Sequence, residues 1–328
     1  MSFIINDYIL EQTGASSARC VEVIQSLWSG YGEIARYDLE GTCRSSVVVK
    51  RIAPPDRRNH PRGWNSDFSH ARKIESYLVE SNWYQYWSCR CDDLCRVPDC
   101  LGIKKFDTEL IIILEDLDES GFGRRPDDLD DNDIRACLSW LANFHARFMN
   151  DSAEKLWEVG TYWHLSTRPD EWSAMEDGLL KQSASLLDDR LNNACFTTIV
   201  HGDAKSANFC FSEPGGAVAA VDFQYVGGGC GMKDVAYFMG SCMDENVCER
   251  DEQRYLNHYF KELKQALERY DKQLIFVDLE QEWRELFPIA WTDFYRFLQG
   301  WMPAHGKING YTKRLAEQVL SQNWKHIV

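Results

Sequence analysis

The stretch His201-Gly202-Asp203-Ala204-Lys205-Ser206-Ala207-Asn208, with Val221-Asp222-Phe223 following it, constrains this chain more than any other feature. Apolar runs flank both parts: Thr197-Thr198-Ile199-Val200 before the first, Phe209-Cys210-Phe211 after it, and Val218-Ala219-Ala220-Val221 leading into Asp222. Their alternation and β-branched content read as short strands joined by polar turns. A histidine, two carboxylates, a lysine and an amide therefore sit on tight loops between buried strands. That arrangement suits phosphoryl transfer from a nucleotide to a hydroxyl, where positioning and charge neutralisation carry most of the catalysis.

The rest of the chain predicts two lobes. Its 328 residues exceed one ordinary compact unit. Cys20 to Leu27, Glu33 to Leu39 and Ser45 to Ile52 read as three sequential strands joined by turns at Gly30-Tyr31-Gly32 and Glu40-Gly41-Thr42, an antiparallel meander. Pro54 to Gly63, rich in proline and arginine, reads as a loop. Asp67 to Trp87 predicts a helix, and Val97 to Ile103 and Leu110 to Leu114 two further strands. The acidic run from Glu115 to Asp133 precedes the helical pattern Ile134, Cys137, Leu138, Leu141, His145, where carboxylates suit the helix dipole. Tyr255 to Tyr270 and Gln281 to Trp301 are helical by period. The expected fold class is α+β: a small antiparallel β-sheet lobe with one main helix over residues 1–117, and a larger, mostly helical lobe over 118–328.

Composition narrows the function. Net charge is -15, from 51 acidic and 36 basic side chains. That field repels polyphosphate backbones, so nucleic acid is not an expected partner. No apolar run approaches the ~20 residues that span a bilayer, so no membrane partner is expected either. Met1 to Asp7 shows neither a basic region nor a long apolar segment, so no secretory signal is expected and the cytoplasm is the default. Among the twelve cysteines, Cys89, Cys91, Cys95 and Cys100 are the densest group, but C-x-C-x3-C-x4-C without a histidine departs from zinc-knuckle spacing. Reduced thiols are expected.

Each candidate site residue has a bland alternative as a turn, loop or core residue. Asp203 can accept or orient the proton of an attacking hydroxyl. Asn208 and Asp222 offer the neutral and anionic oxygen donors that Mg2+ takes. Lys205 can neutralise charge on the transferred group, and His201 can brace the loop. Lys50, in an otherwise apolar strand, calls for an acidic partner; Glu75 and Glu80 on the next helix both qualify, with Glu80 preferred for its aromatic surroundings. Gly30 and Gly32 can let backbone N–H groups approach phosphates. Glu115 and Leu117 are placed to offer backbone groups to an adenine.

His201, Gly202, Asp203 and Asn208 match the H-G-D-x4-N loop of the aminoglycoside phosphotransferase and choline kinase superfamily, and Asp222 matches its metal-binding aspartate. The chain resembles that superfamily from about residue 20 to 320. Val221-Asp222-Phe223-Gln224, Glu80-x-x-Trp83-Tyr84 and Leu114-Glu115-Asp116-Leu117 are most similar to its ecdysteroid-kinase-like (CHK-type) branch and bacterial relatives. The resemblance implies a bilobal protein-kinase-like fold and an ATP- and Mg2+-dependent small-molecule O-kinase. It makes Asp203 the base, Asn208 and Asp222 the metal ligands, Lys50 with Glu80 the ATP-orienting pair, and Asp234 the buttress of the catalytic loop. Gln224 replaces the glycine of the protein-kinase D-F-G turn, and only Phe223 to Lys233 separate Asp222 from Asp234. No A-P-E element or peptide platform fits there, so a small hydroxylated acceptor is expected in place of a protein.

The acceptor is expected against the second lobe, near Trp157, Trp163, Trp172, Trp291 and Trp301. Asp293 among aromatics would suit a cationic group, whereas Arg168 and Arg296 would suit an acidic one. Competing classes are a catalytically inactive kinase-fold binding module and a metal-dependent hydrolase. Retention of Lys50, Asp203, Asn208 and Asp222 together argues against the first, and the β-rich lobe carrying Lys50 against the second.

Overall fold

Alternating apolar residues in the first 125 residues pair into one five-stranded antiparallel sheet. In this computed structural model, which describes residues 2–27, 30–54, 67–212 and 216–321, the strands are β1 (Ser17–Ser26), β2 (Gly32–Glu40), β3 (Ser46–Ile52), β4 (Cys100–Phe106) and β5 (Glu109–Glu115), in the order β1-β2-β3-β5-β4. The stretch 55–63 of the proline- and arginine-rich loop lies outside the described residues.

The chain divides into two compact units, residues 1–125 with 210–221, and 126–209 with 222–328. The sequence expectation placed a single boundary after residue 117. Two contacts explain the difference. Leu117 and Phe122 pack with Cys210, Ala219 and Val221, and Phe211 exchanges backbone hydrogen bonds with Arg124. The hairpin of β7 (Phe209–Phe211) and β8 (Val218–Ala220) thus contributes most of its length to the first unit.

One face of the sheet is covered by α1 (Ser2–Thr13), a stretch to which the sequence reading assigns no element. Ile5, Tyr8 and Ile9 of α1 pack on Leu39, Val47, Val49, Ile111 and Ile113. The main helix α2 (Asp67–Tyr86) was expected. Gly32 has a packing reason to be glycine: its φ is 133°, and a Cβ there would lie 2.0 Å from the Arg51 carbonyl oxygen.

The second unit is mostly helical. It holds α3 (Asp131–Arg147), α4 (Pro169–Ala174), α5 (Leu179–Gln182), α6 (Ala184–Asn192), α7 (Met232–Cys242), α8 (Glu245–Arg269), α9 (Phe276–Trp301) and α10 (Gly310–Ser321). The acidic run ends as a capping box: the Asp130 side chain accepts from the Asp133 N–H while Asp133 reaches back to the Asp130 N–H. A small sheet pairs β6 (Thr198–Val200) with β9 (Gly227–Gly229), a glycine-only strand that carries no sequence signal. Trp140, Phe144, Phe209 and Phe223 bury an aromatic core beneath the loop that follows β6. Among the described residues no helix is long and apolar enough to cross a membrane. The twelve cysteines form no disulfide.

Candidate active site

The site of the second unit grows from β6, whose chain turns sharply at Gly202. Its φ is 81°, and a Cβ there would lie 2.0 Å from the Tyr225 carbonyl oxygen, so only glycine fits. The turn is held from beneath by Asp234 on α7. Its carboxylate accepts from the His201 N–H at 2.6 Å and the Gly202 N–H at 2.9 Å. His145 Nε2 lies 3.1 Å from the same carboxylate, and His145 Nδ1 lies 2.8 Å from the Tyr259 hydroxyl. All of this is buried. The buttress expected at Asp234 is therefore present as geometry, with His145 and Tyr259 as members the sequence reading missed. A histidine on the otherwise apolar face of α3 was the available signal.

His201 is fully buried, with its ring centroid 4.5 Å from that of Phe223. Its Nδ1 accepts from the Asp203 N–H at 3.3 Å, a bracing role. Asp203 then projects from the loop toward Lys205, Asn208 and the Tyr237 hydroxyl. Lys205 Nζ lies 3.3 Å from its Oδ2, and Asn208 Nδ2 donates to its Oδ2 at 3.2 Å and to its backbone oxygen at 2.8 Å. Burial raises the Asp203 carboxyl above its ordinary range; the Lys205 ammonium opposes this, and the Asp222 carboxylate adds to it. Lys205 moves up because the attraction of Asp203 and Asp222 outweighs its burial.

Asp222 follows β8 with φ at 70°, in the left-handed region that aspartate tolerates better than most residues. Its Oδ1 accepts from Gln224 Nε2 at 2.6 Å. With the Asn208 amide nitrogen committed to Asp203, its carbonyl oxygen is the donor left for a cation. One neutral oxygen and one carboxylate form the sparse, hard set that Mg2+ takes when phosphates and water complete its shell. The donors fit the metal.

In the first unit, Lys50 on β3 is only 3% exposed and Glu80 on α2 1%. They meet at 2.7 and 2.9 Å, so Glu80 rather than Glu75 is the partner. The Gly30-Tyr31-Gly32 turn is closed by Leu27, whose N–H donates to the Gly32 carbonyl at 2.8 Å and whose carbonyl accepts from the Gly30 N–H at 3.2 Å. Glu115 is buried and held by Arg96 at 2.6 Å, Ser120 at 2.5 Å and the Asp99 N–H at 2.9 Å. Burial pushes its carboxyl up, but these hydrogen bonds prevail and hold it below the ordinary range. Leu117 is buried in the cluster around Cys210.

The ecdysteroid kinase-like family model matches residues 147–272. That span holds Asp203, Lys205, Asn208, Asp222 and Asp234. The match bears out the resemblance read from the sequence, and phosphoryl transfer is the general chemistry it supports. No curated protein matches the chain. Among solved structures, the chain is similar to an aminoglycoside-3'-phosphotransferase of type VIII, with 15% identity, a TM-score of 0.48, and coverage of 82% of this chain and 94% of that one. The aminoglycoside phosphotransferase APH(3'')-Id of Streptomyces rimosus, solved with ADP and streptomycin, aligns at 14% identity and a TM-score of 0.41, over 88% of this chain and 98% of its own. A candidate fructosamine-3-kinase from Haemophilus somnus aligns at 14% identity and a TM-score of 0.38, over 86% and 96%.

The residues expected around the acceptor fare differently from the catalytic ones. Arg296 is fully buried and donates to Asp293 at 2.7 Å and to the Trp163 carbonyl at 3.2 Å. The two charges expected to face an acceptor thus pair with each other inside the core, and Nη1 of Arg296 is left buried without a hydrogen-bond partner among the described residues. Trp163 is fully buried, and buried Trp291 donates to Thr312. Arg168 is buried, paired with Glu171 at 3.1 Å, and donates to the Tyr162 carbonyl. Two of the tryptophans are partly exposed and join the aromatic cluster next to Asp203: Trp301 stacks on Phe297, and Trp157 stacks on Tyr225, which meets Tyr162.

Proposed function

We infer that the protein is a cytoplasmic small-molecule kinase that moves the γ-phosphoryl group of ATP to a hydroxyl. The observation that carries this reading is the cluster of Asp203, Lys205 and Asn208 on a loop locked by Asp234, with the Asp222 carboxylate acting on Asp203 from the turn after β8. A locked loop supplies what phosphoryl transfer needs, since positioning and charge stabilisation outweigh covalent chemistry in that reaction.

Asp203 orients the acceptor hydroxyl and takes its proton as the new O–P bond forms and the bond from γ-phosphorus to the leaving ADP oxygen breaks. Its raised pKa favours proton uptake. Lys205 is placed to leave Asp203 for the migrating phosphoryl oxygens as charge builds on them. Asn208 and Asp222 would hold Mg2+, which when bound neutralises phosphate charge. In the first unit, Lys50, steadied by Glu80, would hold nucleotide phosphates, and the Gly30 to Gly32 turn and the backbone at Glu115 and Leu117 would take the rest of the nucleotide.

The test is ADP release in the presence of Mg2+ and a panel of amino alcohols, aminoglycosides, sterols, sugars and hydroxy acids. Asp203→Ala should lower turnover by at least about 10²-fold, the lower range for a lost general base, while still binding Mg-ATP. Asp222→Asn should weaken Mg-dependent nucleotide binding itself. Transfer at the native rate by the Asp203 variant would remove it as the base. A native protein that binds no nucleotide with Mg2+ present would leave the inactive-module reading in its place.

A further inference from the structure

One cation beside this loop has no ionic partner among the described residues. Lys307 lies in the segment between α9 and α10, partly buried, with its ammonium 5.0 Å from the ring centre of Tyr237 and 5.6 Å from that of Phe294. No carboxylate among the described residues forms a salt bridge with it; of the charged groups that act on it, Asp203 attracts it and Lys205 repels it. The same rings belong to the cluster that borders Asp203: the Tyr162 N–H donates to the Gly202 carbonyl at 3.1 Å, and the Tyr237 hydroxyl is raised by burial and by the Asp203 charge.

Two cations of the protein also lie over rings of this cluster. Lys307 covers Tyr237 and Phe294, and the Arg168 guanidinium lies 5.6 Å from Tyr162, 6.0 Å from Tyr225 and 5.4 Å from Phe297. An acceptor cation would meet a protein cation of like charge over each of these five rings, and Asp293 is spent on Arg296. Three ammonium donors without an acceptor, held over apolar rings, complement an anionic oxygen instead.

We propose that Lys307 is a specificity-determining residue that selects an acceptor carrying an anionic group, a hydroxy acid rather than an amino alcohol. The term acceptor rests on the kinase reading above; the anion site itself does not. The protein's net charge of -15 acts against such a ligand, so a preference for an anion cannot come from the overall field.

The test uses three probes of one shape: 4-(hydroxymethyl)benzoate, its uncharged amide, and 4-(hydroxymethyl)benzylamine, titrated into the full-length protein by calorimetry. The expected order is carboxylate, amide, ammonium, with the carboxylate ahead of the amide by about tenfold or more, as for a charge-assisted hydrogen bond. Lys307→Met should erase that preference and Lys307→Arg should keep it. In the native protein the preference should fade as pH rises through about 8, where burial has brought the Lys307 ammonium despite the opposing pull of Cys242 and Asp203. The groups facing it are Asp203 and Lys205 from the loop after β6, Tyr237 and Cys242 from α7, Phe294 from α9, and His305 from its own segment. The arginine variant should hold its preference above that pH. Equal affinity for carboxylate and amide, no binding of any probe, a lead for the ammonium, or a preference surviving in Lys307→Met would overturn the proposal. The expected ranking without ADP release from any acceptor would sink the kinase reading and leave the anion site standing. ADP release confined to cationic acceptors would do the reverse.

Discussion

Asp234 offers the sharpest test of how the site keeps its shape. Its carboxylate accepts from the His201 N–H, the Gly202 N–H and His145 Nε2, at 2.6, 2.9 and 3.1 Å, inside a fully buried cluster. Asp234→Asn exchanges one oxygen for an amide donor, so at least one buried donor loses its acceptor, at about 1–3 kcal/mol. Asp234→Ala removes all three acceptor contacts and leaves the His201 N–H, the Gly202 N–H and His145 without this acceptor, at about 1–3 kcal/mol for each buried donor. At about 2–4 °C per kcal/mol for a unit of this size, the asparagine variant should melt roughly 2–12 °C lower and the alanine variant further still. The loop bearing Asp203 is the part released, and a misplacement of about 1 Å costs on the order of 10²-fold in rate. The assay is thermal unfolding by circular dichroism, paired with ADP-release rates measured well below each variant's midpoint. An asparagine variant that melts with the native protein and turns over at its rate would refute the idea that this carboxylate holds the loop.

Two further outcomes follow from buried charge. Asp293→Ala should destabilise the protein by about 3–5 kcal/mol by leaving Arg296 in the core without its carboxylate. The double replacement Asp293→Leu with Arg296→Met should recover most of that loss, and a double variant no more stable than Asp293→Ala in urea unfolding would count against a self-contained pair. Lys307 should also shape stability against pH. Its folded pKa, about 8, lies below the ordinary 10.5, so below about pH 8 the ammonium is charged in both states and the cost of burying it is borne in full. As pH rises from about 8 to 10.5 the folded state releases its proton first, and the native protein gains stability across that window. Lys307→Met should therefore melt above the native protein near neutral pH, by a margin that narrows toward pH 10; a margin constant with pH would contradict this.

The parts of the fold that were legible in the sequence are those whose signal is local. Strands β1 to β3 and β5 alternate or run apolar, α3 announces itself by an acidic cap and a helical period, and Asp203, Asn208 and Asp222 stand out because polar groups interrupt short apolar strands. The elements that escaped have other causes. Helix α1 carries a weak local signal: among its described side chains, Ile5, Tyr8 and Ile9 meet the sheet's main cluster as buried contacts. Strand β9 is three glycines, which no propensity assigns to a strand. The segment 210–221 looks continuous with the catalytic loop in sequence, yet Phe211, Ala219 and Ala220 find their backbone partners at Arg124 and Arg96.

Charge was harder to read than pattern, because a charged side chain shows its type in sequence but not its partner. Lys307 lies in His305-Gly306-Lys307-Ile308-Asn309, which resembles any solvated loop. Tyr237 and Phe294, the rings that hold it, come from α7 and α9, and no local spacing links them to it. Asp293 and Arg296 are the opposite case. They stand three apart on α9, and Arg168 and Glu171 stand three apart at the start of α4, the spacing at which helical neighbours meet. Read by that rule, each arginine has its carboxylate within its own turn of helix, so neither charge is left for an acidic acceptor, although Nη1 of Arg296 keeps no hydrogen-bond partner among the described residues. Lys307 has no acidic residue three or four positions away, so the same rule leaves its charge unanswered. The spacing that removes the two arginines from the acceptor question is thus what singles out the lysine.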